Sequence, residues 1–291
     1  MPSSLQHVPV APGVDLAVRL HAPESMQQAI PFLLVHGLAS NSRLWDGCAA
    51  ALAARGHLVA AVDLRGHGES SKPDSGYDTA TVVADLATLI EALGFTRPAV
   101  VGQSWGGNLA VQLAASHPEL VSWIGLIDGG TIELQERFPE WTEAVEVLSP
   151  PVFQGVTRAQ LLARMRAMHP DWPHAGIEGA LANFEELPDG TIRPHLTLDR
   201  HLAILRGLWE HRPSTLWAHL TVPVLFVTAA NDAVAAWTHD KELAVQRAEQ
   251  LLGDTPHRSV WFRPADHDLH AQFPDRLAEL LDAATNEEFF R

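Results

Sequence analysis

Ala99-Val-Val-Gly-Gln-Ser-Trp-Gly-Gly107 is the stretch from which the rest of the chain can be read. Ala99, Val100 and Val101 have the continuous apolar character of a short buried strand. From Asn108 to Ser116 apolar residues recur at helical spacing, and His117-Pro118 ends that helix. Between the two lies Gly102-Gln-Ser-Trp-Gly106, an instance of Gly-x-Ser-x-Gly. The pattern predicts a very tight strand-to-helix turn, with glycines where a Cβ would collide with neighbouring backbone. Ser104 then projects from a strained turn, and the helix N-terminus that follows offers free N–H groups to a developing negative charge.

Outward from this turn, strand and helix alternate. Residues 5–12 and 14–22 alternate apolar and polar around Pro12-Gly13, as in an antiparallel hairpin at a sheet edge. Ile30–Val35 is an apolar run leading into the loop His36-Gly-Leu-Ala-Ser-Asn-Ser42, and a helix is expected from about Trp45 to Arg55. His57–Leu64 reads as a strand, followed by the loop Arg65–Ser70. Thr81–Leu93 reads as a helix and Val121–Ile127 as a strand. This is the signature of a mostly parallel sheet with helices on both faces, whose ligands bind beyond the C-terminal strand ends. The loops 36–42, 65–70 and 102–107 should therefore share one rim.

The alternation breaks near Gly129. No buried strand is expected from Thr131 to about His219, where helices are read at 139–148, 157–168, 174–185 and 198–211. The segment is too long for a simple loop. Residues 1–129 and 220–291 are expected to form the core and 130–219 a helical cap over the rim. Its large apolar side chains suit an apolar acyl or alcohol group, with Trp141, Met168, Trp172 and Trp209 as candidate pocket residues. The core resumes with strand Val222–Thr228, a helix at Lys241–Leu252, strand Ser259–Phe262 and a closing helix from Phe273 to about Ala283.

A serine hydroxyl needs a base within hydrogen-bond reach and a third group that orients the base. Among sixteen histidines, His267 stands in the loop after the last strand, on the rim of Ser104. Two carboxylates follow strands on that rim, Asp232 and Asp128. Asp232 is the favoured acid, giving the chain order Ser104, Asp232, His267.

Four segments together resemble the α/β-hydrolase fold superfamily across nearly the whole chain. They are His36-Gly-Leu38, Asp63-Leu-Arg-Gly-His-Gly-Glu-Ser70, Gly102-Gln-Ser-Trp-Gly-Gly107, and Asn231-Asp232 with His267 and Pro274. The resemblance implies an α/β-hydrolase fold with an inserted cap and an oxyanion hole formed by the backbone N–H groups of Leu38 and Trp105. It also implies a loop-stabilising role for His36 and rim-stabilising roles for Asp63, Arg65 and His67. Members with an aspartate nucleophile, such as epoxide hydrolases, need a carboxylate where Ser104 stands. One position departs from the pattern: Asp266 precedes His267 where many members have Gly or Ala.

The expected activity is carboxylic ester hydrolysis of the esterase, lipase or lactonase type, through an acyl-enzyme and without cofactor or metal. Alternatives using the same residues are carbon–carbon bond or amide hydrolysis and acyl or perhydrolytic transfer; the resemblance to carbon–carbon hydrolases, which often place an arginine near the pocket, makes Arg137, Arg164 or Arg166 candidates for that role. A retired hydrolase acting as a binding protein is a third class. Composition narrows the partners. The chain has 291 residues, 46% apolar, with a formal net charge of −15 and only Lys72 and Lys241 as lysines. Such a charge disfavours nucleic acid and anionic membranes and leaves a small-molecule substrate. No run approaches the roughly 18 apolar residues of a membrane span. The N-terminal residues show no signal-peptide pattern, and a lone cysteine, Cys48, suits a reducing compartment; both point to the cytoplasm.

Overall fold

A computed structural model describes residues 3–25 and 30–286. Strands β1 (Ser4–Ala11) and β2 (Val14–His21) form an antiparallel hairpin at the sheet edge, as the alternation predicts. Strands β3 (Phe32–Val35), β4 (Val59–Val62), β5 (Ala99–Gln103) and β6 (Trp123–Ile127) are buried along their whole length. Strands on both sides of which helices pack have no polar face, which explains their unbroken apolar sequences.

Helices α1 (Asp46–Ala54), α2 (Thr79–Ala92) and α3 (Trp105–Ser116) connect them. Asp78 caps α2 by accepting from the Thr81 N–H at 2.9 Å, which starts that helix two residues earlier than periodicity suggests. After β6 come α4 (Leu134–Arg137), α5 (Trp141–Leu148), α6 (Arg158–Met168), α7 (His174–Leu181), a small hairpin β7 (Phe184–Glu186) and β8 (Ile192–Pro194), then α8 (Leu198–Glu210). The hairpin replaces the last turn of the helix expected at 174–185. Its strands are three residues each and mostly polar, too short to register as alternation. The core resumes with β9 (Val224–Ala229), α9 (Ala235–Leu252), β10 (His257–Phe262), α10 (Leu269–Gln272) and α11 (Pro274–Asn286).

The eight-stranded sheet has the order β1-β2-β4-β3-β5-β6-β9-β10 and is parallel from β4 to β10. One face packs against α2, α3 and α9, the other against α1 and α11. The order reverses around β3, so the C-terminal ends of β3 and β5 border the crevice where such sheets bind ligands. Among the described residues, no helix is long and apolar enough to cross a membrane.

Candidate active site

Sheet register brings the site together. Gln103 on β5 lies opposite Ile127 on β6, so the next residues, Ser104 and Asp128, leave adjacent strand ends. The Ser104 N–H donates to the Ile127 carbonyl at 3.0 Å, and the Asp128 N–H donates to that of Val227 on β9 at 2.8 Å. Both residues turn sharply. Ser104 has φ 53° and ψ −121°, and Asp128 has φ 44°. A positive φ is strained in a residue with a Cβ and persists only where the surroundings enforce it.

Two glycines allow the Ser104 turn to sit against the end of β3. A Cβ on Gly106 would lie 2.5 Å from the Val35 carbonyl oxygen, and one on Gly37 would lie 3.0 Å from the Ser104 Cβ. Leu38 therefore stands beside the turn, and Trp105 is the first residue of α3, where an amide N–H has no partner within the helix.

His267 follows β10. Its Nδ1 is 2.6 Å from Asp128 Oδ2, and the Gln103 side-chain amide donates to its backbone carbonyl at 3.3 Å. The Asp128 side chain is fully buried and holds three partners. Oδ2 also accepts from the Lys241 ammonium at 2.7 Å, while Oδ1 accepts from the Ala229 N–H at 3.0 Å. Burial alone would push the Asp128 carboxyl up, but hydrogen bonding and charge from His267 and Lys241 outweigh it and hold it below its ordinary value. The surrounding protein pushes the His267 imidazole down. The hydrogen bond and charge of Asp128 reverse that and raise it above 6.5, with Lys241 opposing the rise. An ionised carboxylate can only accept, so Nδ1 carries the proton and Nε2 keeps its lone pair.

Asp232, the acid favoured from sequence, is not at the site. The Asn231 side chain accepts from the Ala233 N–H at 3.0 Å and caps a short helical turn, Asp232–Val234. Asp232 opens that turn outward, with its side chain 82% exposed and paired with Arg263. The carboxylate that meets His267 is Asp128. A sequence signal for it existed: Asp128-Gly-Gly directly after a buried strand marks a chain that must turn sharply.

Ser104 and His267 line one cavity of about 410 Å³. Its walls include Leu38, Gln103, Phe153, Arg164, Met165, Met168, Trp172 and Phe184, so the segment between β6 and β9 covers the crevice. A second cavity of about 550 Å³ adjoins it and shares Ala39, Ser40, Pro151, Phe153 and Phe184. Of the four candidate pocket residues, Met168 and Trp172 line the Ser104 cavity. Trp141 and Trp209 do not: their rings pack edge to face at 5.9 Å, with the Arg206 guanidinium over both. The Trp209 indole donates to the Phe138 carbonyl at 2.8 Å, which ties α8 to the end of α4 instead.

Asp266, the departure from the family pattern, has a visible partner set. Its Oδ2 lies 3.1 Å from both His169 Nδ1 and Trp172 Nε1, fastening the inserted segment to the loop of His267. The second rim loop is a scaffold. Asp63 accepts from the Ser42 and Glu69 N–H groups at 2.6 and 2.9 Å, and Arg65 forks onto Asp85 at 2.5 and 2.6 Å. His36 accepts from the Leu64 N–H at 3.0 Å and is wholly buried, so burial keeps it neutral. Of the other two arginines singled out in the sequence, Arg137 pairs with Asp240 at 3.7 Å, and neither it nor Arg166 lines the cavity. Burial also pushes the Cys48 thiol up and away from reactivity. Among the described residues, no three His, Cys, Asp or Glu side chains are arranged to hold a metal ion.

A family profile described as the alpha/beta hydrolase fold matches residues 30–274. The chain belongs to the α/β-hydrolase fold family. Within it, 100 residues are 40% identical to an uncharacterized protein of Mycobacterium tuberculosis, covering 34% of this chain and only 29% of that relative's length. Over 263 residues the chain is 29% identical to 2-(acetamidomethylene)succinate hydrolase of Mesorhizobium japonicum, covering 87% of this α/β-hydrolase and 86% of the relative. The crystal structure of E-2-(acetamidomethylene)succinate hydrolase superposes with a TM-score of 0.75 at 26% identity, covering 97% of this chain and 98% of that one.

Proposed function

We propose that this α/β-hydrolase is a serine hydrolase that cleaves carboxylic esters of small molecules through an acyl-enzyme. Ser104 is the nucleophile, His267 the general base and Asp128 the acid that orients the base. The observation that carries this reading is the 2.6 Å contact of the buried Asp128 Oδ2 with Nδ1 of His267, whose ring is open to the cavity that Ser104 lines. It leaves His267 Nε2 free to take the Ser104 proton as the hydroxyl attacks a carbonyl carbon. The imidazolium then returns that proton to the departing alcohol, and water repeats the sequence to release the acid. The N–H groups of Leu38 and Trp105 receive the oxyanion, a term on the order of 10²–10³ in rate for one donor.

The segment 130–219 acts as a helical cap, and Met168 and Trp172 present apolar surface to the acyl or alcohol group. A second reading keeps the same residues and changes the bond to an amide. It is favoured by the relative that spans nearly the whole chain, whose name carries an acetamido group, and by Arg164 at the cavity wall, which suits a carboxylate-bearing substrate. The buried lone thiol accords with a cytoplasmic location.

Reaction with a fluorophosphonate probe, followed by a panel of nitrophenyl esters of graded acyl length, tests the proposal. Labelling and turnover that vanish in Ser104→Ala support it, and labelling without ester turnover favours the amide. No labelling of the wild type overturns it.

A further inference from the structure

Lys241 stands out among the charged groups around the site, because it is one of two lysines in the chain and reaches the same oxygen that His267 uses. Its ammonium is 2.7 Å from Asp128 Oδ2 and 3.1 Å from the Ala229 carbonyl. The contact comes from α9, an element otherwise remote from the cavity, with the Lys241 side chain 29% exposed. A buried carboxylate has room for this third donor beside the imidazole and the backbone N–H, and a lysine there brings a full positive charge to the oxygen that His267 contacts, which a neutral donor would not.

We propose that Lys241 is a positioning residue for the candidate base: by sharing Asp128 Oδ2 with His267 it clamps the carboxylate in register with the imidazole and sets a fixed positive charge beside the pair. The inference rests on the assignment of Asp128 and His267 made above. Two consequences follow from the shared oxygen. Oδ2 is fixed between two donors, so the carboxylate cannot rotate away from the imidazole. The positive charge of Lys241 also offsets part of the negative charge that an isolated aspartate would lend to His267, leaving more of the imidazole neutral and able to accept a proton at mildly acidic pH.

The other charges facing this cluster do not perform that task. Asp268 adjoins His267 in sequence and acts in the opposite direction, favouring the imidazolium. His270 is held neutral by burial, at about 4, and His36 is likewise lowered by burial. On α9, Asp240 lies 3.7 Å from Arg137, and Glu242 lies 3.7 Å from Arg263, which also holds Asp232.

Titration of His267 by NMR in the full chain with labelled histidine, assigned through His267→Asn, tests this directly. It is paired with the rate of fluorophosphonate labelling of Ser104 as a function of pH. Replacing Lys241 by Met should move the His267 midpoint up by about half to one pH unit, given a charge near enough to act but partly screened by solvent. Labelling near pH 6 should then fall about three- to tenfold, with much less change above pH 8. Lys241→Arg keeps the charge and should stay close to wild type. An unchanged midpoint in a folded Lys241→Met protein overturns the proposal, as does a loss of labelling that is equal at every pH. If the wild type is not labelled at all, the serine-hydrolase reading fails, while the NMR midpoint still decides the role of Lys241.

Discussion

The imidazole of His267 and the carboxylate of Asp128 meet at 2.6 Å although they stand 139 positions apart in the chain. The helical segment between β6 and β9, two core strands and α9 all lie between these positions. The contact forms because β6, β9 and β10 are neighbours in the sheet and end on the same side. The carboxylate that meets His267 thus comes from the end of β6, the strand after Ser104, and not from the end of β9, the strand after the inserted segment.

Gly37 should be intolerant of even a methyl group for activity. A Cβ there would lie 2.4 Å from the Gln103 side-chain oxygen and 3.0 Å from the Ser104 Cβ. Gln103 can swing aside, but Ser104 must shift by a fraction of an ångström relative to Leu38. Gly37→Ala should lower kcat by about 10- to 100-fold with little change in KM, because small misplacements cost rate before binding. Steady-state kinetics on the preferred nitrophenyl ester, with a thermal melt to show the fold is kept, checks this.

The tryptophans and Met168 should separate pocket from scaffold. Met168 lines the cavity and is 69% exposed, so Met168→Ala should alter KM for longer acyl chains about three- to tenfold and leave stability nearly unchanged. Trp209→Phe removes the hydrogen bond to Phe138 and should cost about 1 kcal/mol of stability without affecting chain-length preference. The acyl-length profile and urea unfolding of the two variants make the comparison.

Much of this arrangement was legible beforehand, and the exceptions have local causes. The hairpin, the parallel core, Ser104 and His267 follow from strong period-2 and helical patterns with a glycine-framed turn between them. Asp232 misled because Asn231-Asp232 has the right spacing after a strand, whereas the Asn231 cap that turns Asp232 outward is a three-dimensional event. Helix α9 begins at Ala235, six residues before the helix read from Lys241, because its first turns face solvent and carry no apolar stripe. Lys241 itself gave no signal, since a lysine in an amphipathic helix reads as surface. Trp141 and Trp209 were indistinguishable from Trp172 by composition, and the packing of α5 on α8 decides between them.

The activity should carry an acid limb set by His267. Its folded value lies above 6.5, and the base works only when neutral, so kcat/KM falls as pH drops through that value. A log kcat/KM profile from pH 5 to 9 should show unit slope on the acid side, with the break above pH 6.5.

Stability should respond to acid through buried neutral histidines. His270 packs its ring 4.4 Å from Trp45, and burial lowers it to about 4; His21 and His211 are lowered to about 4 for the same reason. Each is easier to protonate when unfolded. Their contribution is therefore present above about pH 6.5 and lost as pH falls towards 4, on the order of 3 kcal/mol for a fully buried ring. Thermal melts between pH 7 and 4.5 should show a falling Tm, and His270→Phe, if it folds, should flatten the decline.

The labelling rate of Ser104 by a fluorophosphonate in Asp128→Asn and Asp232→Asn, measured side by side, bears most directly on the site. An amide at 128 can hold the imidazole in the wrong tautomer, so that variant should react on the order of 10⁴-fold more slowly than wild type, while Asp232→Asn stays within about twofold. A larger loss at 232 than at 128 would contradict the account.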